Sequence, residues 1–280
     1  MALDANDFIK PDARTRDGYH LVREYKRSGR VFRSHPRLSP LTPVFDDRVR
    51  FVCISDTHDQ LDQILDRIPP GDVLIHAGDF TDDGSIQSVI KFNRELGRLP
   101  HKHKIVIAGN HELGFERMDE KDRRELQMVM IRSKSQLLSR CKYLQDSSVT
   151  LYGYKIYGSP WHPMPYYDFH ADRGQPLLDK WNEIPADTDV LVTHTPPLGH
   201  GDQTNWNVAN GMLTGCAELL NTIEYRVRPK YHVFGHIHVG YGVTTNDRTV
   251  FINASICNRN NVPVHRPIIF DLPLMEGFKK

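Results

Sequence analysis

The segment "RFVCISDTHDQLDQILDRIPPGDVLIHAGD" (residues 50–79) determines how the chain is expected to fold. It opens with the apolar run "RFVCIS", whose β-branched and aromatic residues are typical of a buried strand. Apolar residues from Leu61 to Ile68 then recur at helical spacing, and Pro69-Pro70 end that helix. "DVLIHAG" is the next buried strand. This strand–helix–strand order predicts parallel strands in a layered α/β fold.

The pattern continues along the chain. "SIQSVIKFNRELG" predicts a helix with Ser85 as its N-cap and Gly97 just past its end, and "KIVIAG" predicts a third strand. "SVTLYGYKIYGSP" predicts a hairpin around Gly153, residues 116–140 predict one or two surface helices, and "TGCAELLNTIEYRV" predicts another helix. "DVLVTH" is a further buried strand, and "YHVFGH", "TVFINAS" and "PIIFDL" are interpreted as a second, meander-like half. We therefore expect one compact domain of two sheets flanked by helices.

The first 47 residues differ from the rest because they show little periodicity. We interpret residues 1–47 as an N-terminal arm with a Pro-rich hinge, and residues 48–280 as the domain. The basic residues of the arm are interleaved with acidic ones, which favours a solvated segment over a binding patch.

The composition of the chain narrows the classes of function that it can have. The 280 residues carry a net charge of +1, so no global field favours nucleic acid or an anionic membrane. No apolar run reaches the ~18 residues of a membrane span, and the N-terminus is too acidic and interrupted for a signal peptide. The four cysteines show no CxxC spacing, so we expect reduced thiols and a cytoplasmic protein.

Potential metal ligands follow the predicted strands. They are Asp56, His58, Asp79, Asn110, His111, His194, His236 and His238. Ligand sites in α/β sheets gather beyond the carboxyl ends of the strands, where these side chains would meet. We expect His236 and His238 to point to one side, since strand side chains alternate. Carboxylates and imidazoles buried together are costly without a counter-charge, so the pattern predicts a metal pair.

Each of these residues alone allows another interpretation. Asp56 and Asp79 could be helix N-caps, and Asn110 could belong to a turn. His194 could be a core histidine bonded to a backbone carbonyl, and the 236/238 pair could be partly exposed loop histidines. Chance placement of such residues at all five strand ends is much rarer than chance placement at one strand end. The combined pattern therefore favours the metal site.

Five ordered motifs carry a family resemblance. They are "DTH" (56–58), "GD" (78–79), "GNHE" (109–112), "TH" (193–194) and "GHIH" (235–238). The chain thereby resembles the calcineurin-like metallophosphoesterase superfamily over about residues 50–272. Segments such as "KIVIAGNHEL" and "INASICN" are closer to a group of animal metallophosphoesterase-domain proteins, itself similar to class III cyclic-nucleotide phosphodiesterases. Members of that group can lack one histidine of GHxH, whereas this chain keeps both, so its site should be complete.

The resemblance implies a four-layer α/β/β/α sandwich of two mixed sheets flanked by helices. It also implies that Asp79 bridges two metals and that the other ligands divide between them: Asp56, His58 and His238 on the first metal; Asn110, His194 and His236 on the second. Mixed nitrogen and oxygen ligands suit Mn²⁺, Fe or Zn²⁺ better than Ca²⁺. We expect two divalent ions, with Mn²⁺ as the first choice and Fe or Zn²⁺ as alternatives.

A mechanism follows as a hypothesis. Two bound metals would lower the pKa of a bridging water, and the resulting hydroxide would attack phosphorus. His111 would protonate the leaving group or stabilise the transition state. Glu112 or an acidic neighbour would orient His111, as carboxylates behind imidazoles do, or Glu112 would instead cap the following helix.

The substrate is expected to be a small phosphodiester or nucleotide, with cyclic nucleotides as one candidate. Protein Ser/Thr phosphatases add HG, VDRG and an Arg before GNHE, where this chain has "DTHDQ", "GDFTDDG" and "IAGNHE". The sequence has no basic stripe with interleaved aromatic residues, as a nuclease would have, and it leaves protein partners unknown. The loops "GSPWHPMPYYDFH" (158–170) and "TPPLGHGDQTNWN" (195–207), which contain Trp161 and Trp206, are candidate walls of the substrate pocket, although ordinary loop packing explains them equally well.

A second hypothesis belongs to another class of function. The chain could be a weakly active or inactive metal-stabilised scaffold, whose arm contacts a partner. The intact ligand set weighs against this reading.

Overall fold

The structure is a computed structural model that describes residues 9–12, 14–204 and 212–280. The described residues form fourteen strands and five α-helices. The strands are β1 (Arg33–Ser34), β2 (Arg48–Ile54), β3 (Val73–Ala77), β4 (His103–Ile107), β5 (Lys142–Tyr143), β6 (Ser147–Leu151), β7 (Tyr154–Ser159), β8 (Val190–Thr193), β9 (Gln203–Thr204), β10 (Met212–Leu213), β11 (Tyr231–Phe234), β12 (Gly242–Thr245), β13 (Val250–Asn253) and β14 (Ile268–Pro273). The α-helices are α1 (Gly18–Arg27), α2 (Ile86–Leu96), α3 (Glu120–Met128), α4 (Gln175–Asn182) and α5 (Ala217–Asn221).

Two mixed sheets contain most of the strands. The five-stranded sheet has the order β14-β2-β3-β4-β5, in which β2 to β5 are parallel and β14 is antiparallel to β2. The seven-stranded sheet has the order β1-β12-β13-β11-β8-β7-β6, with β7, β8, β11 and β13 parallel. The parallel arrangement predicted from residues 50–79 is confirmed.

The sheets pack face to face, and helices cover their outer faces. Phe51 and Ile75 of the five-stranded sheet are buried with Val192 and Val233 of the seven-stranded sheet. On the far side of the five-stranded sheet, α2 packs beside a 3₁₀ helix, Leu61–Arg67. α4 and α5 cover the seven-stranded sheet. The expected four-layer α/β/β/α sandwich is confirmed.

Several predicted elements agree with the structure in detail. Ser85 caps α2 by accepting a hydrogen bond from the N–H of Ser88, and Gly97 is the C-cap. The hairpin around Gly153 is formed by β6 and β7, and α3 is a surface helix. The helix predicted from "TGCAELLNTIEYRV" is α only over α5, because the chain continues as a π-helix over Thr222–Val227. The helix after β2 is 3₁₀ rather than α, which suits the three-residue spacing of its buried side chains.

The expected meander in the second half is wrong. β11 and β13 are parallel neighbours, and β12 lies on the far side of β13. β14 joins the other sheet, where it pairs with β2. Periodicity identifies a buried strand but not its partner, so it could not distinguish these pairings.

The part of the chain expected to be an arm includes a packed helix. Leu21, Val22 and Tyr25 of α1 are buried against Leu198 and Leu220. β1 adds an antiparallel edge strand beside β12. These few apolar side chains lie in a strongly charged segment, so the sequence gives a weak signal for packing. The division at residue 47 stays a prediction. In the part of the chain that the structure describes, no helix has the length and apolar character to cross a membrane.

A buried ion pair fixes the edge of the five-stranded sheet. Arg50 on β2 lies opposite Asp271 on β14, and two N–H groups of its guanidinium donate to the carboxylate at 2.8 Å each. The same guanidinium also donates to the carbonyl oxygens of Thr42 and Pro43. The pair thus joins β2, β14 and the segment that leads into the domain.

We predict that Asp271→Ala lowers the free energy of unfolding by about 3–5 kcal/mol, because it leaves a buried guanidinium without its counter-charge. Urea denaturation measures the change. The control is Asp47→Ala, since Asp47 is exposed and lies 4.0 Å from Arg48. That variant should change stability by less than about 1 kcal/mol. Equal stabilities for the two variants would contradict the role of the buried pair.

Candidate metal centre

The structure brings all eight candidate side chains to one edge of the two sheets. Each follows the carboxyl end of a parallel strand: β2 leads to Asp56 and His58, β3 to Asp79, β4 to Asn110 and His111, β8 to His194, and β11 to His236 and His238. Neither Asp56 nor Asp79 caps a helix, since the helices that follow have Gln60 and Ser85 at their N-caps. The assignment of these residues as ligands stays a prediction, but their proximity is now observed.

The first cluster consists of Asp56, His58 and His238. The Nε2 atom of His238 lies 3.4 Å from Asp56 Oδ1 and 3.2 Å from His58 Nε2. All three residues can place one ligand atom within 4.8 Å of the others. Asp56 and His58 are buried, whereas His238 is half-buried. This is the group expected to hold the first metal.

The second cluster consists of Asp79, Asn110, His194 and His236. Asn110 Oδ1 lies 3.0 Å from His194 Nε2 and 2.8 Å from His236 Nδ1. Asp79 Oδ2 is 3.2 Å from His194 Nε2. The same oxygen lies 3.9 Å from His58 Nε2 of the first cluster. Asp79 therefore occupies the position that a bridging ligand requires.

The protonation pattern of the imidazoles fits a cation at each cluster. His58 Nδ1 lies 2.9 Å from Asp82 Oδ1, and His238 Nδ1 lies 3.0 Å from the carbonyl oxygen of Asn258. When the rings are neutral, those acceptors favour the proton on Nδ1, so that both Nε2 lone pairs would be available to one ion. His194 is held likewise, with Nδ1 2.9 Å from the carbonyl oxygen of Ala77. A divalent metal satisfies such converging lone pairs.

The electrostatics of the site favour positive charge. Burial lowers the pKa of His58, but Asp82 and Asp79 outweigh it and raise that pKa to about 9. Burial likewise lowers the pKa of His194, and Asp79 raises it to about 9. Burial raises the pKa of Asp56, but the imidazole of His238 outweighs it and brings that pKa below its ordinary value. The buried carboxylates therefore favour positive charge in the groups around them.

The backbone of the site adopts conformations that L-residues seldom use. Asp56, Asp79 and His236 have φ angles of 52°, 52° and 68°, in the left-handed region. Two motif glycines allow the carboxylates to approach. A Cβ on Gly109 would lie 2.3 Å from Asp79 Oδ1, and one on Gly235 would lie 2.0 Å from Asp56 Oδ2. The glycines of "GNHE" and "GHIH" are therefore required by close packing.

The expectation that His236 and His238 share one side of a strand is wrong. β11 ends at Phe234, and the left-handed φ of His236 turns the chain before a 3₁₀ turn begins at His238. Strand alternation does not apply beyond that point. The two imidazoles consequently reach different clusters, which is how one short motif can serve two metals.

Glu112 acts on the backbone rather than on His111. Its buried carboxylate accepts hydrogen bonds from the N–H groups of Asp79, Thr81 and Gly109, at 2.9, 2.9 and 2.6 Å. Burial and the charge of Asp79 raise the pKa of Glu112 to about 7. The imidazole of His111 instead has its Nδ1 2.7 Å from the carbonyl oxygen of Asp82. Glu112 thus joins the loops after β3 and β4, and the expected orientation of His111 by Glu112 is wrong.

Sequence reasoning missed two side chains that support the ligands. The hydroxyl of Ser255 donates to Asp56 Oδ2 at 2.7 Å, and Asp82 contacts His58. Ser255 follows β13, a parallel strand that ends at the same edge of the sheet. The rule that site residues lie beyond the carboxyl ends of parallel strands would also have identified Ser255. Asp82 lies in a loop without periodicity and gave no such signal.

The clusters line an open cavity of about 320 Å³. Met164 and Tyr167 form part of its wall, so the predicted loop 158–170 does contribute. Trp161 itself is not among the described residues that line the cavity, and its indole N–H donates to Asp146. Trp206 lies outside the described residues.

Comparisons with known proteins agree with this geometry. The family model of calcineurin-like phosphoesterases matches residues 49–240. A UPF0046 protein of Caenorhabditis elegans is 58% identical over 261 residues, which are 92% of this chain and 93% of that protein. Metallophosphoesterase domain-containing protein 1 of Homo sapiens is 49% identical over 250 residues, which are 85% of this chain and 74% of that protein.

We predict that metal binding releases protons. His58 and His194 have pKa values of about 9 without metal, so both imidazoles are protonated at pH 7 and must lose a proton to coordinate. Metal affinity should therefore fall as the pH is lowered. Titration calorimetry of the metal-stripped protein in two buffers of different ionisation enthalpy measures the released protons. Binding without proton release would contradict this protonation pattern.

We also predict that Glu112→Ala weakens metal binding by about 10- to 100-fold, because Asp79 and Gly109 lose the acceptor that holds their loops. Metal content after dialysis against a metal buffer measures the effect. Glu276→Ala is the control, since Glu276 is exposed. If the Glu112 variant retained metal as the control does, the carboxylate would not position Asp79.

Proposed function

The chain belongs to the calcineurin-like phosphoesterase family, and from that premise we propose that it hydrolyses small phosphodiesters, cyclic nucleotides among them, with two divalent metal ions. One observation carries the proposal. Two clusters of metal-ligating side chains approach each other at Asp79, and His111 lies beside them in one open cavity. That is the arrangement a two-metal hydrolysis of a phosphate ester requires.

Asp79 lies between the two sets of candidate ligands. Asp56, His58 and His238 would hold one ion, Asn110, His194 and His236 would hold the other, and Asp79 would contact both. When bound, such ions activate water as a nucleophile near neutral pH and neutralise charge on phosphate oxygens. Mn²⁺ is the first choice among ions that accept this mixture of imidazole, amide and carboxylate ligands.

His111 is placed to exchange a proton with the substrate. Its backbone N–H donates to Asp79 Oδ1 at 2.9 Å, which fixes the residue beside the bridging carboxylate. Its Nδ1 faces the carbonyl oxygen of Asp82, so Nδ1 carries a proton and Nε2 is the atom available to the cavity. In the imidazolium form, the proton on Nε2 would pass to the leaving oxygen of the ester, which leaves a neutral ring protonated on Nδ1.

The size and lining of the cavity favour a small diester. Its volume of about 320 Å³ is at the lower end of ordinary ligand pockets. Met164 and Tyr167 add an apolar and an aromatic surface beside the ligands. These side chains could contact a second ester substituent, which a monoester lacks.

We predict a kcat/KM at least about tenfold higher for bis-p-nitrophenyl phosphate than for p-nitrophenyl phosphate, since the second substituent gains contacts with the wall. Release of nitrophenolate by the metal-loaded protein measures both rates. A preference for the monoester would contradict the proposed substrate class and would indicate a phosphomonoesterase.

We further predict that His111→Ala lowers kcat for the diester by ~10²–10⁴-fold while both metals remain bound. Elemental analysis of the purified variant checks the metals. His20→Ala provides the control, because His20 is an exposed histidine on α1. Unchanged turnover in the His111 variant would show that another group donates the proton.

A further inference from the structure

Arg259 is the only Lys or Arg among the described residues that line the metal cavity. Its side chain is exposed, and no hydrogen bond or ion pair of its guanidinium is found within the described part of the chain. By contrast, the buried Arg50 makes four hydrogen bonds to a carboxylate and two carbonyl oxygens. Arg259 thus presents an unneutralised positive charge at the cavity.

The turn that carries Arg259 is well held. The side-chain oxygen of Asn258 accepts hydrogen bonds from the N–H groups of Asn260 and Val262, at 2.9 and 3.1 Å. The N–H of Asn258 donates to the carbonyl oxygen of Val262 at 2.9 Å. Gln60 donates to the carbonyl oxygen of Asn261 at 2.8 Å. The backbone of the turn is therefore held in place, whereas the exposed side chain of Arg259 can adapt to a ligand.

The same turn is joined to the metal centre. The carbonyl oxygen of Asn258 lies 3.0 Å from Nδ1 of His238, whose other nitrogen belongs to the first ligand cluster. Arg259 is the next residue in the chain. The backbone of Arg259 is therefore fixed on the side of the cavity where His238, a candidate ligand, lies.

The charges of the cavity indicate what this guanidinium would bind. The four carboxylates of Asp56, Asp79, Asp82 and Glu112 at most balance the four positive charges that two divalent ions would bring. Arg259 adds another positive charge on the open side. A dianionic phosphate gains more from that charge than a monoanionic diester does. The planar fork of a guanidinium also matches two phosphate oxygens, which an ammonium group cannot do.

We propose, building on the phosphodiesterase function inferred above, that Arg259 contacts the dianionic phosphate group of the reaction product in the cavity. Arg259 is then a product-binding residue. It holds the phosphomonoester that diester hydrolysis produces, and free inorganic phosphate competes for the same position.

The test measures equilibrium binding of inorganic phosphate to the metal-loaded protein by titration calorimetry. We expect Arg259→Gln to raise the Kd for phosphate by about 10- to 100-fold, as loss of a charged hydrogen-bonding group does. Arg259→Lys should give an intermediate Kd, because it keeps the charge but not the fork. Arg266→Gln is the matched control, since Arg266 is exposed in the same region but does not line the cavity. Its Kd should stay within about twofold of the wild type.

Metal content and melting temperature are measured for every variant, so that loss of metal or of folding is recognised. An unchanged Kd in metal-loaded Arg259→Gln overturns the role of Arg259, and so does a wild type that binds no phosphate at millimolar concentration. Activity on a diester is assayed separately. A protein that binds phosphate through Arg259 but hydrolyses no diester would retain the anion site and overturn the proposed function.

Discussion

The carboxylate of Asp79 is buried among imidazoles between the two sheets, and the arrangement of the site depends on compensating its charge. His194 approaches one oxygen, and the N–H of His111 donates to the other. The N–H of Asp79 itself is held by the carboxylate of Glu112. An isolated charge in such a place would be costly, so the surrounding residues supply donors and leave lone pairs directed at common points. A divalent metal site would complete this balance, which accounts for the combination of carboxylates and imidazoles.

The fold makes this clustering possible because parallel strands of both sheets end at the same edge. β2, β3 and β4 deliver ligands from one sheet, and β8 and β11 deliver them from the other. Residues with left-handed backbone then turn the chain sharply after β2, β3 and β11, at Asp56, Asp79 and His236. The conformational strain is offset by hydrogen bonds such as those of Glu112 and Ser255. The backbone therefore positions the side chains of both clusters.

Much of this architecture could be predicted from the sequence, for a physical reason. Buried strands are apolar runs, and polar residues that immediately follow them identify the edge where the ligands meet, as at Asp56 and His194. What could not be predicted depends on long-range pairing or on side chains that reach across loops. The placement of β14 beside β2, the separate clusters of His236 and His238, and the bonds of Glu112 are of this kind. The packing of α1 was also missed, because three apolar residues in a charged segment give little signal.

We expect the clusters around Asp79 to form a metal centre that hydrolyses phosphodiesters. Hydrolysis of bis-p-nitrophenyl phosphate by metal-stripped protein, before and after addition of Mn²⁺ and alongside His236→Ala, tests this function. The stripped protein should be inactive, Mn²⁺ should restore its activity, and the variant should not recover. Failure of every divalent metal to produce hydrolysis, although two ions bind to each chain, would rule out this function and identify a metal-stabilised scaffold instead.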